Sequence, residues 1–405
     1  MPPLARFARP GEWVFASGVL LWLAGAVGPF RQLMQDRDWV RALLAVSLVL
    51  LVRERRALRP LLAAGWPVLL PVLAVALSPA WSLDAQASLR AALALAAHTL
   101  FGLWLALRFD GAEQHRLVSG VLALAIAGSA LVALLAPELG VMRGVHLGAW
   151  RGLLSHKNHL ARLLALGVLA CGLLALAQPR ARAWAAAAAA RALARFVPGR
   201  SGGGAAALLL AAAPVALAAG LRRLAPRARA RAALLAGAAC AGIGGLAFAL
   251  APTLLPWVGR DMTLTRRTEI WAAVRPALAE RPWLGHGADA FWDVAPASAE
   301  ISRSLRFDPH SAHNGFLDLA LDLGALGLAC FCVPFALALA RAVRLALAQP
   351  GAGALWPLAL LAWYVTSNLP EGALLTRAPL GWALFVATAA TLAAGPAQRA
   401  PREPA

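Results

Sequence analysis

Long apolar stretches separated by short polar turns set the pattern of this chain. They fall near residues 14–30, 39–52, 61–78, 91–107, 117–136, 158–177, 183–198, 203–220, 233–251, 313–340, 355–369 and 379–395. An α-helix needs roughly 17–25 residues to cross hydrocarbon, and in lipid an unpaired backbone group finds no partner, so helix is the expected form. The pattern predicts an all-α polytopic integral membrane protein with about 12 transmembrane helices and one large loop at 252–312. The weakest span is 183–198, AWAAAAAARALARFVP, polyalanine that carries Arg191 and Arg195. Losing it as a crossing would reverse the side of everything downstream.

Composition agrees with this reading. The chain is 60% hydrophobic and 14% charged, with mean hydropathy +0.67, too apolar for an ordinary water-soluble globule. Its net charge of +19 is spread over loops. The basic clusters RERRALR (53–59), RFDGAEQHR (108–116), QPRAR (178–182), RRLAPRARAR (222–231) and RAVR (341–344) occupy alternate turns. That is the asymmetry by which cytoplasmic loops are recognised, so both termini are expected in the cytoplasm. It points to membrane lipids as the partner of the positive charge, and not to nucleic acid. Cys171, Cys240, Cys330 and Cys332 all lie in predicted spans without metal-knuckle spacing, and are expected to be small core residues.

Polar chemistry collects in the remaining turns. Residues 252–312 are too long for a functionless connection, and hold GRDMTLTRRTEIW (259–271) and RPWLGHGADAFW (281–292), with FDPHSAHNGFLDLALDLGALGL (307–328) leading into the next span. The only lysine of the chain, Lys157, stands in RGLLSHKNHLARL (151–163) among His156, Asn158, His159 and Arg162. Arginine replaces lysine everywhere else, so a compact ammonium is expected to matter there.

These motifs, in this order, resemble the O-antigen ligase family, within it the branch of exopolysaccharide or O-antigen polymerases. ALSPAWSLDAQASLRAAL (76–93) and GRSGGGAAALLL (199–210) add to the resemblance, which runs over roughly residues 75–395. It divides the chain into N-terminal transmembrane helices (1–74), a ligase-like membrane domain (75–395) whose loop 252–312 is periplasmic, and a cytoplasmic tail (396–405). The implied activity is metal-independent, inverting glycosyl transfer at a bacterial inner membrane, without a cofactor. An undecaprenyl diphosphate-linked glycan is the donor; a second carrier-linked glycan or a lipid A core is the acceptor. Polysaccharide export or chain-length proteins would be further partners.

Such chemistry must hold a departing diphosphate and remove a hydroxyl proton. Arginine suits the first need through bidentate phosphate contacts. Arg267 matches the arginine of the family pattern, Arg200 resembles a second, and Lys157 forms a cationic rim with its neighbours. Arg266 is a further candidate, although it stands where relatives carry glycine. Histidine suits the second need. Of His286, His310 and His313, the last matches the family's histidine position and is the expected base, the alternative being that His313 and Asn314 only cap a helix. His310 and His313 also form an H-x-x-H that zinc could use. Asn314, Asp318 and Asp322 share a helix face, placed either to bind sugar and orient His313 or to bond between spans. Glu371 and Arg377, in TSNLPEGALLTRAP (366–379), receive no clear role. A transporter or flippase of lipid-linked glycans is the competing class, but those build midplane sites, and here His98 is the one evident mid-span ionisable group.

Overall fold

A computed structural model describes residues 9–26, 36–199, 202–229, 231–232, 235, 266–372, 374–375 and 379–395. The described chain is helical, its one extended pairing being the isolated bridge between Val141 and Trp150. The main helices are α1 (Pro10–Leu23), α2 (Asp36–Arg53), α3 (Arg55–Gly65), α4 (Leu70–Leu77), α5 (Ala85–Arg108), α6 (Gly111–Leu135) and α7 (Lys157–Ala177). They continue as α8 (Arg182–Ala194), α9 (Gly202–Leu221), α10 (Arg267–Glu280), α11 (Pro296–Leu305), α12 (Gly315–Ala348), α13 (Trp356–Thr366) and α14 (Pro379–Ala394).

Six of the twelve expected spans are, among the described residues, long and apolar enough to cross a membrane: Arg55–Ala80, Ala85–Arg108, Gly111–Leu135, Lys157–Ala177, Gly202–Leu221 and Gly315–Ala348. Ala352–Thr366 and Pro379–Ala394 are apolar but shorter, as are α1 and α8 with 14 and 13 residues. The expected span 233–251 and Cys240 lie outside the described residues.

Despite its length, α8 preserves the alternation of sides. It packs antiparallel on α7 through Ala185 and Ala188 against Cys171, Leu174 and Ala175. After the turn at Arg195 and residues Phe196–Gly199, the Pro198 carbonyl accepts from Trp150 N at 3.1 Å, next to the start of α7. Helix α9 then begins against Ala161 at Gly204 and ends where an Arg222 N–H donates to the Gly351 carbonyl at 2.8 Å. Small side chains make this tight hairpin possible, the usual device of helices packed in lipid.

The basic turns gather at one end of the bundle. There Arg108 pairs with Glu12 at 2.9 Å and Glu54 at 3.4 Å, and Arg229 donates to Leu347 O. Reporter fusions at residues 225 and 290 are therefore expected to give opposite compartment signals; equal signals would overturn this polarity.

At the other end, residues 266–312 are not an open loop. Helices α10 and α11 and the turn Phe291–Val294 bury Ile270, Val274, Phe291, Trp292, Ile301 and Leu305 in a core of their own, closed by Leu321 of α12. The segment 281–290 inserts into a break in α12. Gly324 has φ 62° and ψ −160°, a conformation that costs glycine least, and a Cβ there would lie 2.3 Å from the Trp283 carbonyl carbon. Backbone groups at the break pair with the inserted segment: His286 N donates to Leu321 O at 2.8 Å, and Gly287 N to Asp322 O at 2.9 Å. Ala325 N and Leu326 N donate to Pro282 O and Trp283 O at 2.8 and 3.1 Å. Satisfied breaks of this kind are what an apolar surrounding permits. The same segment rests on the turn before α5 and on the helix's first turn, where Trp81 Nε1 donates to Leu284 O at 2.9 Å and Ser88 Oγ to Ala288 O at 2.8 Å. Two motifs 200 residues apart thereby become one structural unit.

Candidate active site

Three polar ends of helices meet at Glu371, in the turn after α13. Its Oε1 accepts from Arg267 at 3.0 Å and from Asn158 Nδ2 at 2.7 Å, while Oε2 lies 3.4 Å from His313 Nδ1. Arg267 is the first residue of α10, Asn158 is in the first turn of α7, and His313 directly precedes the α12 cap. The turn is fixed by Gly315 N donating to Asn368 O at 2.9 Å, with Asn368 fully buried and its Nδ2 donating to Tyr364 O. The Glu371 side chain is 12% exposed, that of Arg267 18% and that of His313 40%, so the imidazole is the most open of the three.

Burial alone would raise the Glu371 pKa. The His313 hydrogen bond and the charges of Arg267, His313 and Arg162 outweigh it and hold the carboxyl below its ordinary value. An ionised carboxylate only accepts hydrogen bonds, so its contact requires the proton on His313 Nδ1. In the neutral imidazole this tautomer puts the lone pair that a base needs on Nε2.

The other expected residues divide by their partners. His313 does not cap α12: Asn314 does, its Oδ1 accepting from Phe316 N at 3.0 Å and Leu317 N at 3.3 Å. The capping alternative therefore holds for Asn314, whose oxygen is engaged by the backbone. Asp318 is 4% exposed, and its Oδ1 accepts from Ala312 N at 2.8 Å and Trp292 Nε1 at 2.9 Å. Arg266 points its hydrogen bonds away from Glu371, to Glu269 Oε2 at 3.1 Å and Leu305 O, and lies 4.4 Å over the Phe307 ring. Its backbone has φ 67°, the left-handed region where glycine is comfortable. Arg266→Gly is expected to leave transfer within about threefold of wild type and to change stability by less than about 1.5 kcal/mol, since relief of backbone strain offsets the lost contacts. Thermal unfolding and a transfer assay check both.

His310 is exposed near the same turn. Among the described residues, no three His, Cys, Asp or Glu side chains gather as a metal site. His286 is buried at 3%, its Nε2 3.1 Å from Ala277 O and its ring against Phe291, a structural placement. His115, near the start of α6, is 2% exposed, 2.8 Å from Ala170 O and stacked on Trp356, and His98 within α5 is buried.

Lys157 opens α7 beside an imidazole group that the sequence only partly revealed. The His156 ring lies 5.3 Å from that of His146 and 6.1 Å from that of His159. His156 Nδ1 accepts from Asn158 N at 3.2 Å as the helix cap, and burial, with the charges of His159, His146 and Lys157, lowers its pKa to about 4. Arg200 and Arg377 lie outside the described residues.

The residue that joins this site, Glu371, had no assigned role in the sequence reading. The signal available was the single acidic side chain of TSNLPEGALLTRAP, on the site side.

Residues 160–332 match the family model described as O-antigen ligase. Over this segment the chain is similar to the O-antigen ligase family. The matched segment includes Arg267 and His313, and Asn158 and Glu371 flank it. No curated protein matches the chain. This match supports a membrane glycosyltransferase of the ligase or polymerase type, and does not favour the transporter reading.

Proposed function

We propose that this protein passes a glycan from an undecaprenyl diphosphate carrier to an acceptor hydroxyl at the periplasmic face of the inner membrane. The observation that carries the reading is Glu371 joined at once to Arg267 and His313. One carboxylate thus sets a fixed cation beside a base, the pair of groups that the reaction needs.

In the proposed step, the acceptor hydroxyl gives its proton to His313 Nε2 as its oxygen bonds to the anomeric carbon. The bond from that carbon to the diphosphate breaks on the opposite side, and its electron pair leaves with the carrier. A single displacement through an oxocarbenium-like transition state inverts the configuration. Arg267 shares the charge developing on the diphosphate, a contribution worth roughly 3–4 kcal/mol for one donor in a preorganised site. Lys157, and Arg200 by its place in the sequence, supply further phosphate contacts, with His310 at the rim. Arg266, Asn314 and Asp318 shape the backbone around the base. The acceptor is a carrier-linked glycan or a lipid A core.

Arg267→Lys tests the assignment. A lysine keeps the charge but loses the planar fork, so glycan transfer in a deletion strain should fall at least roughly tenfold while the protein still inserts. Wild-type glycan from folded Arg267→Lys protein would overturn the role of Arg267.

A further inference from the structure

His313 has φ 49°, a conformation that a non-glycine residue keeps only when its surroundings impose it. The surroundings are specific. Ala312, directly before it, is fully buried. Its N–H donates to Asp318 Oδ1 at 2.8 Å, and its carbonyl accepts from Trp271 Nε1 at 2.9 Å. Trp292 Nε1 holds the same Asp318 oxygen at 2.9 Å. His313 N donates to Ser311 Oγ at 3.2 Å, closing the turn.

Trp271 ends TRRTEIW, Trp292 ends GADAFW, and Asp318 lies in HNGFLDLALDLG. Two of these side chains, Asp318 and Trp271, therefore grip Ala312 directly, and the third, Trp292, reaches it through Asp318. Trp271 also stands four residues after Arg267 on α10, on the same helix face. One turn of α10 thus touches both the Glu371 carboxylate and the backbone that presents His313.

We infer that Asp318 and Trp271 are positioning residues that clamp Ala312 and so hold the His313 imidazole against Glu371, with Trp292 fixing Asp318. They act through the backbone and need touch no substrate. The catalytic consequence rests on the proposed role of His313 as base; the positioning itself does not. Misplacing a reacting group by about 1 Å can cost roughly 10²-fold in rate.

Full-length protein labelled with ¹⁵N-histidine, in lipid nanodiscs, reports the His313 tautomer directly, the signal being assigned by its loss in His313→Ala. Wild type should show His313 protonated at Nδ1. Trp271→Phe keeps the ring bulk and removes the donor, and Asp318→Ala removes the acceptor; both should lose the fixed Nδ1–H signal. Asp318→Asn keeps an acceptor oxygen and should restore it. Surface glycan in a deletion strain should follow the same order, falling roughly 10²-fold in the first two variants. Should Trp271→Phe not fold, the Asp318→Ala and Asp318→Asn pair gives the answer alone. An unchanged His313 tautomer in folded Trp271→Phe or Asp318→Ala protein overturns the clamp. Full glycan from His313→Ala overturns the base reading, and leaves the tautomer result to decide the clamp by itself.

Discussion

His313→Ala is expected to insert and fold normally yet lose roughly 10²–10⁴-fold of its transfer rate, the usual worth of general-base help. The structure sharpens this expectation, because the α12 cap belongs to Asn314. Removing the imidazole leaves the cap, the Asp318 contact to Ala312 and the Arg267–Glu371 pair in place. Loss of protein is therefore not expected, only loss of turnover. The measurement is initial rate on an undecaprenyl diphosphate-linked oligosaccharide with purified wild type and variant, with and without EDTA. Full activity in the variant would end the base assignment. Loss of wild-type activity in EDTA would bring the H-x-x-H metal reading of His310 and His313 forward.

Glu371→Gln is expected to be as damaging to transfer and, unlike His313→Ala, to weaken the fold as well. An amide cannot balance the Arg267 charge, and it can turn an N–H toward His313 where the carboxylate offered only an acceptor. Losing the carboxylate that orients a catalytic histidine can cost roughly 10⁴-fold. The stability loss should be on the order of 1–3 kcal/mol, below that of a fully buried pair because Arg267 keeps some contact with solvent. The sign with pH follows from the lowered Glu371 pKa. A carboxyl depressed in the folded state contributes stability that is complete above its unfolded pKa and is lost as pH falls through its folded one. Wild type should therefore lose thermal stability on acidification more steeply than Glu371→Gln, and parallel melting profiles would remove Glu371 from the ionised pairing described here.

Much of the scaffold was written in local sequence. Apolar runs dictate helices because lipid and close packing leave backbone groups no other partner, and the alternating arginine clusters do collect at one end. Asn314 and His313 could be placed at a helix start, and Arg267 in the site-side region, because capping and motif spacing are short-range signals. Tertiary structure alone decided what they face. Glu371 is 58 residues from His313, 104 from Arg267 and 213 from Asn158, and no periodicity reports a contact across such distances. Likewise Gly324 reads as one more small residue in an apolar helix, until the backbone of 281–287 occupies the break beside it. Local sequence sets which backbone states are cheap. The long-range hydrogen bonds of the folded chain select the positive-φ states at Gly324 and His313 and hold the charged groups together at Glu371.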